Sequence, residues 1–223
     1  MIELHYFPGN ASMAPHILLH ELGLPFTLRL VDRAHNAHKA ADYLALNPNG
    51  LIPVLRDGGL VLFEAAAICL YLADQPPAAG VGPRLLPPLG SAERALAYRW
   101  LLWMSSTVQV SLMHYFYPER VLPGVDSAVA GQIRSAAQAQ VGAQLAMIEQ
   151  QLAGHGQPWL LGAEFSVVDV YGMMLCRWTR GFDGPGPAPA RSRPATAAWL
   201  QRVLARPAVQ RALADEGLPT PWV

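Results

Sequence analysis

The apolar pattern of the chain changes once, at a segment rich in proline and glycine. Before this segment, short runs with period-two alternation are interspersed with runs at helical spacing, whereas after it only helical spacing is found. The segment itself, residues 75–83 (QPPAAGVGP), has the composition of a linker. The sequence therefore predicts two domains, a small α/β domain over residues 1–77 and an all-α domain over residues 89–223.

The first domain is predicted to contain a mixed sheet, with the element order βαβ, helix, ββα. Asp57 and Gly58 stand between two apolar runs, which is a hairpin signal, so the last two strands are expected to pair antiparallel. The predicted strands are residues 2–7, 26–31, 53–56 and 60–63. The predicted helices are residues 12–22, 39–46 and 64–73 in the first domain, and 91–117, 126–153, 166–180, 194–205 and 207–215 in the second.

Charge and cysteine content exclude several classes of function. The formal net charge is zero and the isoelectric point is about 7.1, so no overall field attracts nucleic acid or an anionic membrane. Cys69 and Cys176 are far apart and lack metal-ligand spacing, which is typical of buried residues in a reducing compartment. The N-terminus lacks the pattern of a signal peptide, so a cytoplasmic protein is expected.

Two further features are interpreted as structural. Residues 100–117 contain no Asp, Glu, Lys or Arg and have the length of a membrane span, but Ser105 to Thr107 in the middle favour a buried helix of a soluble protein. His35 and His38 are close in sequence, yet no third ligand is evident, so no metal is expected.

Pro53 is the most informative residue of the first domain. A proline inside an apolar strand removes a donor from the sheet. A strand that begins at Pro53 after a cis Ile52–Pro53 bond would turn the main chain of Ile52 out of the sheet, where it could pair with an extended ligand. An ordinary trans proline that opens an edge strand fits the residues equally well.

Glu64 stands between a strand and a helix, where the first helical amides are unpaired. Those amides, of Ala65 and Ala66, could hold a carboxylate while Glu64 binds a neighbouring ammonium, which suits an α-amino-acid group. A helix-start carboxylate that only stabilises the dipole is the alternative. Ser12 is in a similar position: it is predicted to cap the first helix, or else to donate its hydroxyl to an anion.

Taken in order, these residues resemble the cytosolic glutathione transferase superfamily over essentially the whole chain, in particular bacterial members of the serine type (beta- or theta-like). The resemblance implies a thioredoxin-like first domain with a cis proline, an all-α second domain, a homodimer and a role in detoxification. The matching elements are residues 4–12, the His38–Lys39 pair, residues 47–55 (NPNGLIPVL), residues 63–68 (FEAAAI), the proline-rich linker and a helix-capping box formed by Ser166 and Asp169.

The resemblance assigns glutathione contacts residue by residue. The main chain of Ile52 matches the position that pairs with the cysteinyl part of glutathione, and Glu64 matches the acidic residue near its γ-glutamyl group. His38, together with Lys39, resembles the basic contact to the glycine carboxylate. Ala65 stands where the family usually has serine, so a hydroxyl contact is lost. The implied glutathione-binding residues are His38, Lys39, Ile52, Pro53, Glu64 and Ala65.

The implied reaction uses glutathione as co-substrate, held as a thiolate for conjugation to a small hydrophobic electrophile or for its reduction. Ser12 aligns with the serine that faces the thiol in serine-type members, and Asn10 and Tyr6 are expected to help it. Ala11 stands where a cysteine-bearing bacterial class has its reactive cysteine. The electrophile is expected to contact Gln109, Met113 and Tyr117, spaced by four on the long helix, although packing also explains these residues.

Two other functions fit the same resemblance. A non-catalytic protein of this fold would bind glutathione or a hydrophobic ligand without turnover. A glutathione-dependent isomerase would be expected to carry a Ser-Ser-Cys cluster, where this chain has Asn10, Ala11 and Ser12.

Overall fold

The computed structural model describes residues 1–78, 80, 82–183 and 186–223, which form two compact units. The first unit comprises Met1–Pro87 and Leu204–Pro219, and the second comprises Pro88–Val203 and Thr220–Val223. The predicted linker includes Ala79 and Val81, which lie outside the described residues.

The first unit is built on a four-stranded mixed sheet in the order β2-β1-β3-β4. Strand β1 pairs parallel with β2 and antiparallel with β3, and β3 and β4 form the predicted antiparallel hairpin. A thioredoxin-like α/β fold is thereby confirmed. The strands are β1 Ile2–Tyr6, β2 Phe26–Leu30, β3 Val54–Asp57 and β4 Leu60–Phe63, and the helices that accompany them are α1 Met13–Leu22, α2 Ala41–Leu44 and α3 Ala65–Ala73.

The second unit is helical, as predicted. The helix expected over 91–117 is realised as α4 (Ala92–Trp103) and α5 (Gln109–Phe116), joined by a π-helical segment, Met104–Val108. No helix among the described residues combines the length and apolar character needed to cross a bilayer. The other long helices are α6 Ser127–His155, α7 Val167–Trp178 and α8 Pro194–Leu204.

Helix α7 is the centre of the second unit, because all of its residues are buried. Its predicted capping box is confirmed: the Ser166 amide donates to Asp169 Oδ2 at 2.9 Å, and the Val168 amide donates to Ser166 Oγ at 3.2 Å. Asp169 also accepts from the Leu160 amide at 2.9 Å and from Trp199 Nε1 at 2.8 Å. This carboxylate therefore organises the helical unit as well as capping a helix.

The C-terminal helix differs from the expected organisation. Helix α9 (Pro207–Asp215), which sequence grouped with the all-α domain, packs on α1 within the first unit. Its apolar face, which includes Val209, Ala212 and Leu213, is buried. Nearby, Arg206 donates two hydrogen bonds to the carboxylate of Glu21, at 2.5 and 2.7 Å. One face of helix α1 is therefore buried by α9, a contact that the local sequence does not predict.

Candidate functional site

One end of the four-stranded sheet gathers the predicted binding residues. Strand β3 begins at Val54, which pairs with His5 near the end of β1 and with Phe63 at the end of β4. Because β2 runs parallel to β1, the segment that follows β2 leaves the sheet at the same end. The loop after β1, the segment after β2, the residues before β3 and the start of α3 therefore lie around one edge of the domain.

The residue before Pro53 has an unpaired main chain. The Ile52–Pro53 bond is cis, as the resemblance implies. The Ile52 side chain belongs to a buried cluster with Val31, Tyr43 and Val54. In the part of the chain that the structure describes, neither the amide nor the carbonyl of Ile52 has a hydrogen-bond partner. This main chain can therefore pair with an extended peptide in the manner of an added strand.

Two side chains that the sequence did not single out hold the chain leading into Ile52. The hydroxyl of Tyr43 and Nδ2 of Asn47 donate to the Leu51 carbonyl at 2.9 and 2.8 Å. These bonds hold the Leu51 carbonyl and so orient the main chain that leads into Ile52, whose own amide and carbonyl are unpaired. Asn47 opens the segment 47–55 that carries the resemblance, but no contact of its side chain was predicted from that segment.

Lys39 lies against the same turn, and its Nζ donates to the carbonyls of Asn49 and Gly50 at 3.3 and 3.2 Å. Gly50 has a φ of +58°, and a Cβ there would stand 2.8 Å from the His38 carbonyl oxygen, so this position requires glycine. An ammonium has three N–H donors, so Lys39 keeps one for an anion. His38 is half-buried in a 3₁₀ turn, Ala37–Lys39, that places both residues beside the segment before β3.

Glu64 has a backbone conformation that residues other than glycine rarely adopt, with φ 71° and ψ 109°. Its carbonyl accepts from the Ile68 amide at 3.0 Å, and its exposed side chain makes no cap bond. Ala65 and Ala66 begin α3, so their amides lack acceptors within the helix. A strained residue with an exposed carboxylate beside free helical amides is an arrangement found at ligand sites.

Ser12 is the N-cap residue of α1 by position, but its side chain does not make the bonds that sequence predicted. It is fully buried, and its hydroxyl donates to the Phe7 carbonyl at 3.2 Å and accepts from the Phe7 amide at 3.3 Å. It makes no side-chain bond that caps α1. The expected cap and the expected outward hydroxyl are both wrong for this structure, because the β1–α1 loop folds back and uses the hydroxyl to satisfy its own main chain.

Asn10 makes local hydrogen bonds in the loop that leads into α1. Its Oδ1 accepts from the Ala11 amide at 2.6 Å, and its carbonyl accepts from the Met13 amide at 3.0 Å. Its Nδ2 has no hydrogen-bond partner among the described residues, and the residue is half-buried. Asn10 therefore offers a donor at the amino end of α1.

Tyr6 lies beside the buried pair formed by His16 and Glu216. Its ring centroid is 6.3 Å from that of His16, in an edge-on arrangement. Burial, followed by the carboxylates of Glu216 and Asp215, raises the pKa of Tyr6. Its hydroxyl is therefore protonated at neutral pH, and no hydrogen bond within the described chain joins it to Asn10 or Ser12.

The three residues predicted to contact the electrophile lie in and just after α5. Gln109 accepts a hydrogen bond from the hydroxyl of Tyr171, which ties α5 to α7. Met113 is half-buried, and Tyr117 follows the helix with the Arg120 guanidinium 4.0 Å from its ring centroid. Packing thus accounts for Gln109, while Met113 and Tyr117 keep part of their surface.

Both cysteine thiols are free and buried. Burial raises the pKa of Cys69 far above its ordinary range and that of Cys176 to about 12. Neither is a nucleophile at neutral pH, so a thiolate at this site would have to come from a ligand.

The first unit has a cis proline before an inner strand, an unpaired main chain ahead of that proline, and free amides at the start of α3. These features define a thioredoxin-like domain with a site that can pair with an extended peptide. Comparison with known proteins is in agreement with this class. Residues 11–75 match the glutathione S-transferase N-terminal domain, and residues 104–207 match the glutathione S-transferase C-terminal domain. The chain belongs to the glutathione S-transferase family.

Relatives from bacteria and plants match nearly the whole chain. Glutathione S-transferase GstA of Escherichia coli O157:H7 is 31% identical over 97% of this chain and 100% of its own, and glutathione S-transferase 3 of Zea mays is 34% identical over 92% and 89%. A Sulfitobacter glutathione transferase homologue with bound glutathione has a TM-score of 0.83 at 28% identity, covering 98% of this chain and 99% of its own. A sphingomonad glutathione S-transferase complexed with glutathione has a TM-score of 0.79 at 33% identity, covering 97% and 100%.

Proposed function

We propose that this protein is a glutathione transferase that binds glutathione at the free end of its sheet and presents the thiolate to a small hydrophobic electrophile. The observation that carries the proposal is the unpaired main chain of Ile52 beside the cis Pro53. A strand-like pairing there would fix the cysteinyl residue of the peptide through two hydrogen bonds. The rest of the site recognises the two ends of the same peptide.

The γ-glutamyl end meets the start of α3. Its carboxylate accepts hydrogen bonds from the amides of Ala65 and Ala66, at the positive end of the helix. Its ammonium pairs with Glu64, whose carboxylate has no ion-pair partner among the described residues. At the other end, the glycine carboxylate binds the remaining donor of Lys39, with His38 beside it. Opposite charges therefore meet the peptide at both ends.

The thiolate is stabilised at the amino end of α1. A free thiol has a pKa of about 8.5, and lowering it by two units takes roughly 2.7 kcal/mol of preferential thiolate binding. A hydrogen bond to an anion contributes about 1.5–3 kcal/mol, and the helix end adds up to about 1 kcal/mol. Asn10 supplies that hydrogen bond through Nδ2, because the hydroxyl of Ser12 is occupied by Phe7. Tyr6, at the end of β1, remains a protonated donor.

The electrophile contacts Met113 and Tyr117. A methionine and an aromatic ring spaced by four present an adaptable apolar surface, which suits varied hydrophobic substrates. The reaction is either attack of the glutathione sulfur on a carbon of the electrophile, by addition to an enone or by displacement of a halide ion, or reduction of the electrophile by glutathione. In a reduction, two glutathione molecules leave as the disulfide.

The test is a titration of bound glutathione by thiolate absorbance, with Asn10→Ala and Ser12→Ala as a matched pair. We expect the pKa of the bound thiol to be lowered in the wild type, to rise by about one to two units in Asn10→Ala, and to stay low in Ser12→Ala. A rise in Ser12→Ala with no change in Asn10→Ala would restore the serine assignment. Absence of saturable glutathione binding in calorimetry would refute the proposal as a whole.

One observation favours a second candidate, a protein of this fold that binds glutathione without turnover. Ser12 is withdrawn from the site and Ala11 has no thiol, so the loop holds fewer polar groups than the sequence pattern implied. Turnover of aryl halides, enones and organic peroxides with glutathione separates the two candidates. Tight binding without any turnover would favour the binding protein. The presence of Asn10, Ala11 and Ser12 in place of a Ser-Ser-Cys cluster argues against the isomerase.

We also propose that the chain acts as a homodimer in a reducing, cytoplasmic environment. The two free, buried cysteines are the basis for the compartment. Exposed apolar side chains on α4 and α6, including Leu102 and Met147, are the basis for a self-association surface. Light scattering coupled to gel filtration measures the mass directly, and a monomer at micromolar concentration would contradict the dimer.

A further inference from the structure

Two histidines one helical turn apart on α1 face the C-terminal end of α9. His16 and His20 occupy positions i and i+4, so both lie on one side of the helix. Asp215 ends α9, and its Oδ2 lies 3.5 Å from Nε2 of His16 and 2.9 Å from Nε2 of His20. The ligand atoms that these three side chains offer all lie within 4.8 Å of one another.

His16 is held in one orientation by a buried carboxylate. Its Nδ1 lies 2.9 Å from Oε1 of Glu216, and both side chains are fully buried. Glu216 Oε2 also accepts from the Gly9 amide at 2.7 Å. Because a carboxylate accepts, Nδ1 of His16 carries the proton, which leaves a lone pair on Nε2.

That lone pair lacks a hydrogen-bond partner. Nε2 of His16 is completely buried, and no donor among the described residues reaches it. A buried imidazole nitrogen aimed at a second imidazole and a carboxylate is costly as a bare acceptor but is suited to a metal ion.

We propose that His16, His20 and Asp215 bind a divalent transition-metal ion, with Zn²⁺ as the best match. Two imidazoles and one carboxylate are a ligand set that zinc accepts, and a carboxylate on the far nitrogen of a ligating histidine is a common supporting contact. Zinc lies about 2.0–2.2 Å from nitrogen and oxygen ligands, so the three side chains have to adjust around the ion as it binds. Water or an exogenous ligand fills the fourth position.

The site can be reached from solvent. The side chain of Asp215 is 45% exposed and that of His20 is 15% exposed, whereas His16 forms the closed wall. An ion bound there would join α1 to α9 and hence fasten the C-terminal segment onto the first unit. None of the three proposed ligands is a proposed glutathione contact, so the metal site does not depend on the proposed function, although Tyr6 and the Gly9 amide adjoin His16 and Glu216.

The experiment is calorimetric titration of the metal-free protein with Zn²⁺, repeated by competition with a chelator of known affinity. We expect one ion per chain with micromolar or tighter affinity and a higher thermal midpoint in its presence. Replacing Zn²⁺ by Co²⁺ should give the strong visible absorption bands of a four-coordinate Co²⁺ ion, measured by absorption spectroscopy. His20→Ala and Asp215→Asn should each weaken Zn²⁺ binding by about 100-fold or more and abolish the thermal shift.

His35→Ala is the matched control, because His35 forms an exposed pair with Asp32 at 2.6 Å that resembles one edge of the proposed site. It should bind Zn²⁺ as the wild type does. Circular dichroism and glutathione affinity show whether His20→Ala and Asp215→Asn remain folded. Unchanged Zn²⁺ binding in these two folded variants, or wild-type binding no tighter than millimolar, would overturn the proposal.

Discussion

At the scale of single residues, Ser12 and Glu64 make contacts or adopt backbone conformations that differ from those predicted from their places in the sequence. Ser12 was expected at the edge of the active site, and the structure uses it to satisfy the main chain of Phe7. Glu64 was expected at a helix start, and the structure adds a strained backbone there. In both cases the residue type was informative, while its partner was decided by how the loop folds.

Ser12→Ala should lower the free energy of unfolding by about 1 kcal/mol, because it leaves the part-buried Phe7 amide without its acceptor, whereas the Phe7 carbonyl keeps the Asn10 amide as a donor. Urea denaturation measures the loss. Ser106→Ala, at an exposed serine of the second unit, serves as the control and should change stability by less than about 0.5 kcal/mol. Equal stability of Ser12→Ala and the wild type would contradict the structural role.

Glu64→Gly should separate binding from stability. Glycine adopts a φ of +71° without steric cost, so the free energy of unfolding should not fall. Loss of the carboxylate should weaken glutathione binding about 10- to 100-fold, the equivalent of a charge-assisted hydrogen bond of about 1.5–3 kcal/mol. Calorimetry and urea denaturation measure the two effects, and retained affinity would remove Glu64 from the site.

At the scale of elements, the sequence predicts where a helix begins when the capping residues are local. It does not predict a cap that comes from a residue far away in the chain. The capping box at Ser166 was predicted and confirmed. The start of α8 is capped from outside the helix: the Glu149 carboxylate accepts from the amides of Ala195 and Thr196 at 2.9 and 2.7 Å. No spacing in the sequence connects residues that are 46 and 47 positions apart.

This external cap should make stability depend on acid. Burial works to raise the pKa of Glu149, but hydrogen bonds from Ala195 and Thr196 outweigh it and hold the pKa below its ordinary value. The stabilisation is therefore fully present above the unfolded-state pKa and is lost as the pH falls through the lowered pKa of the folded state. Glu149→Gln should cost about 1 kcal/mol at neutral pH.

The difference between Glu149→Gln and the wild type should shrink when unfolding is measured below pH of about 4, where the unfolded carboxyl is protonated. Glu164→Gln, at an exposed glutamate, is the control and should change stability at neutral pH by less than about 0.5 kcal/mol. A difference that stays constant from neutral to acidic pH would show that the charge of Glu149 is not what caps α8.

At the scale of the whole molecule, the C-terminal segment completes the first unit. Helix α9 packs on α1, and Oε1 of Glu216 is hydrogen-bonded to Nδ1 of the buried His16. We therefore expect that a fragment consisting of residues 1–87 will not unfold cooperatively, since α1 would expose an apolar face and an unpaired buried histidine. Thermal melts followed by circular dichroism provide the measurement, and a sharp transition in the fragment would contradict this expectation.

The sequence alone determined most of the secondary structure. The boundaries of the strands, the hairpin at Asp57 and Gly58, the long helices and the capping box depend on neighbours within a few residues, where periodicity and turn chemistry act. The two-domain division followed from a change of that periodicity.

Long-range pairing could be decided only by the tertiary structure. Ile52 acquires an unpaired main chain, Ser12 is turned inward, and Asp215 meets His16 and His20 from almost two hundred residues away. Each of these outcomes depends on which buried polar group finds which partner once the apolar faces have packed. The choice of partner depends on how the whole core packs, so it cannot be predicted from local composition and spacing.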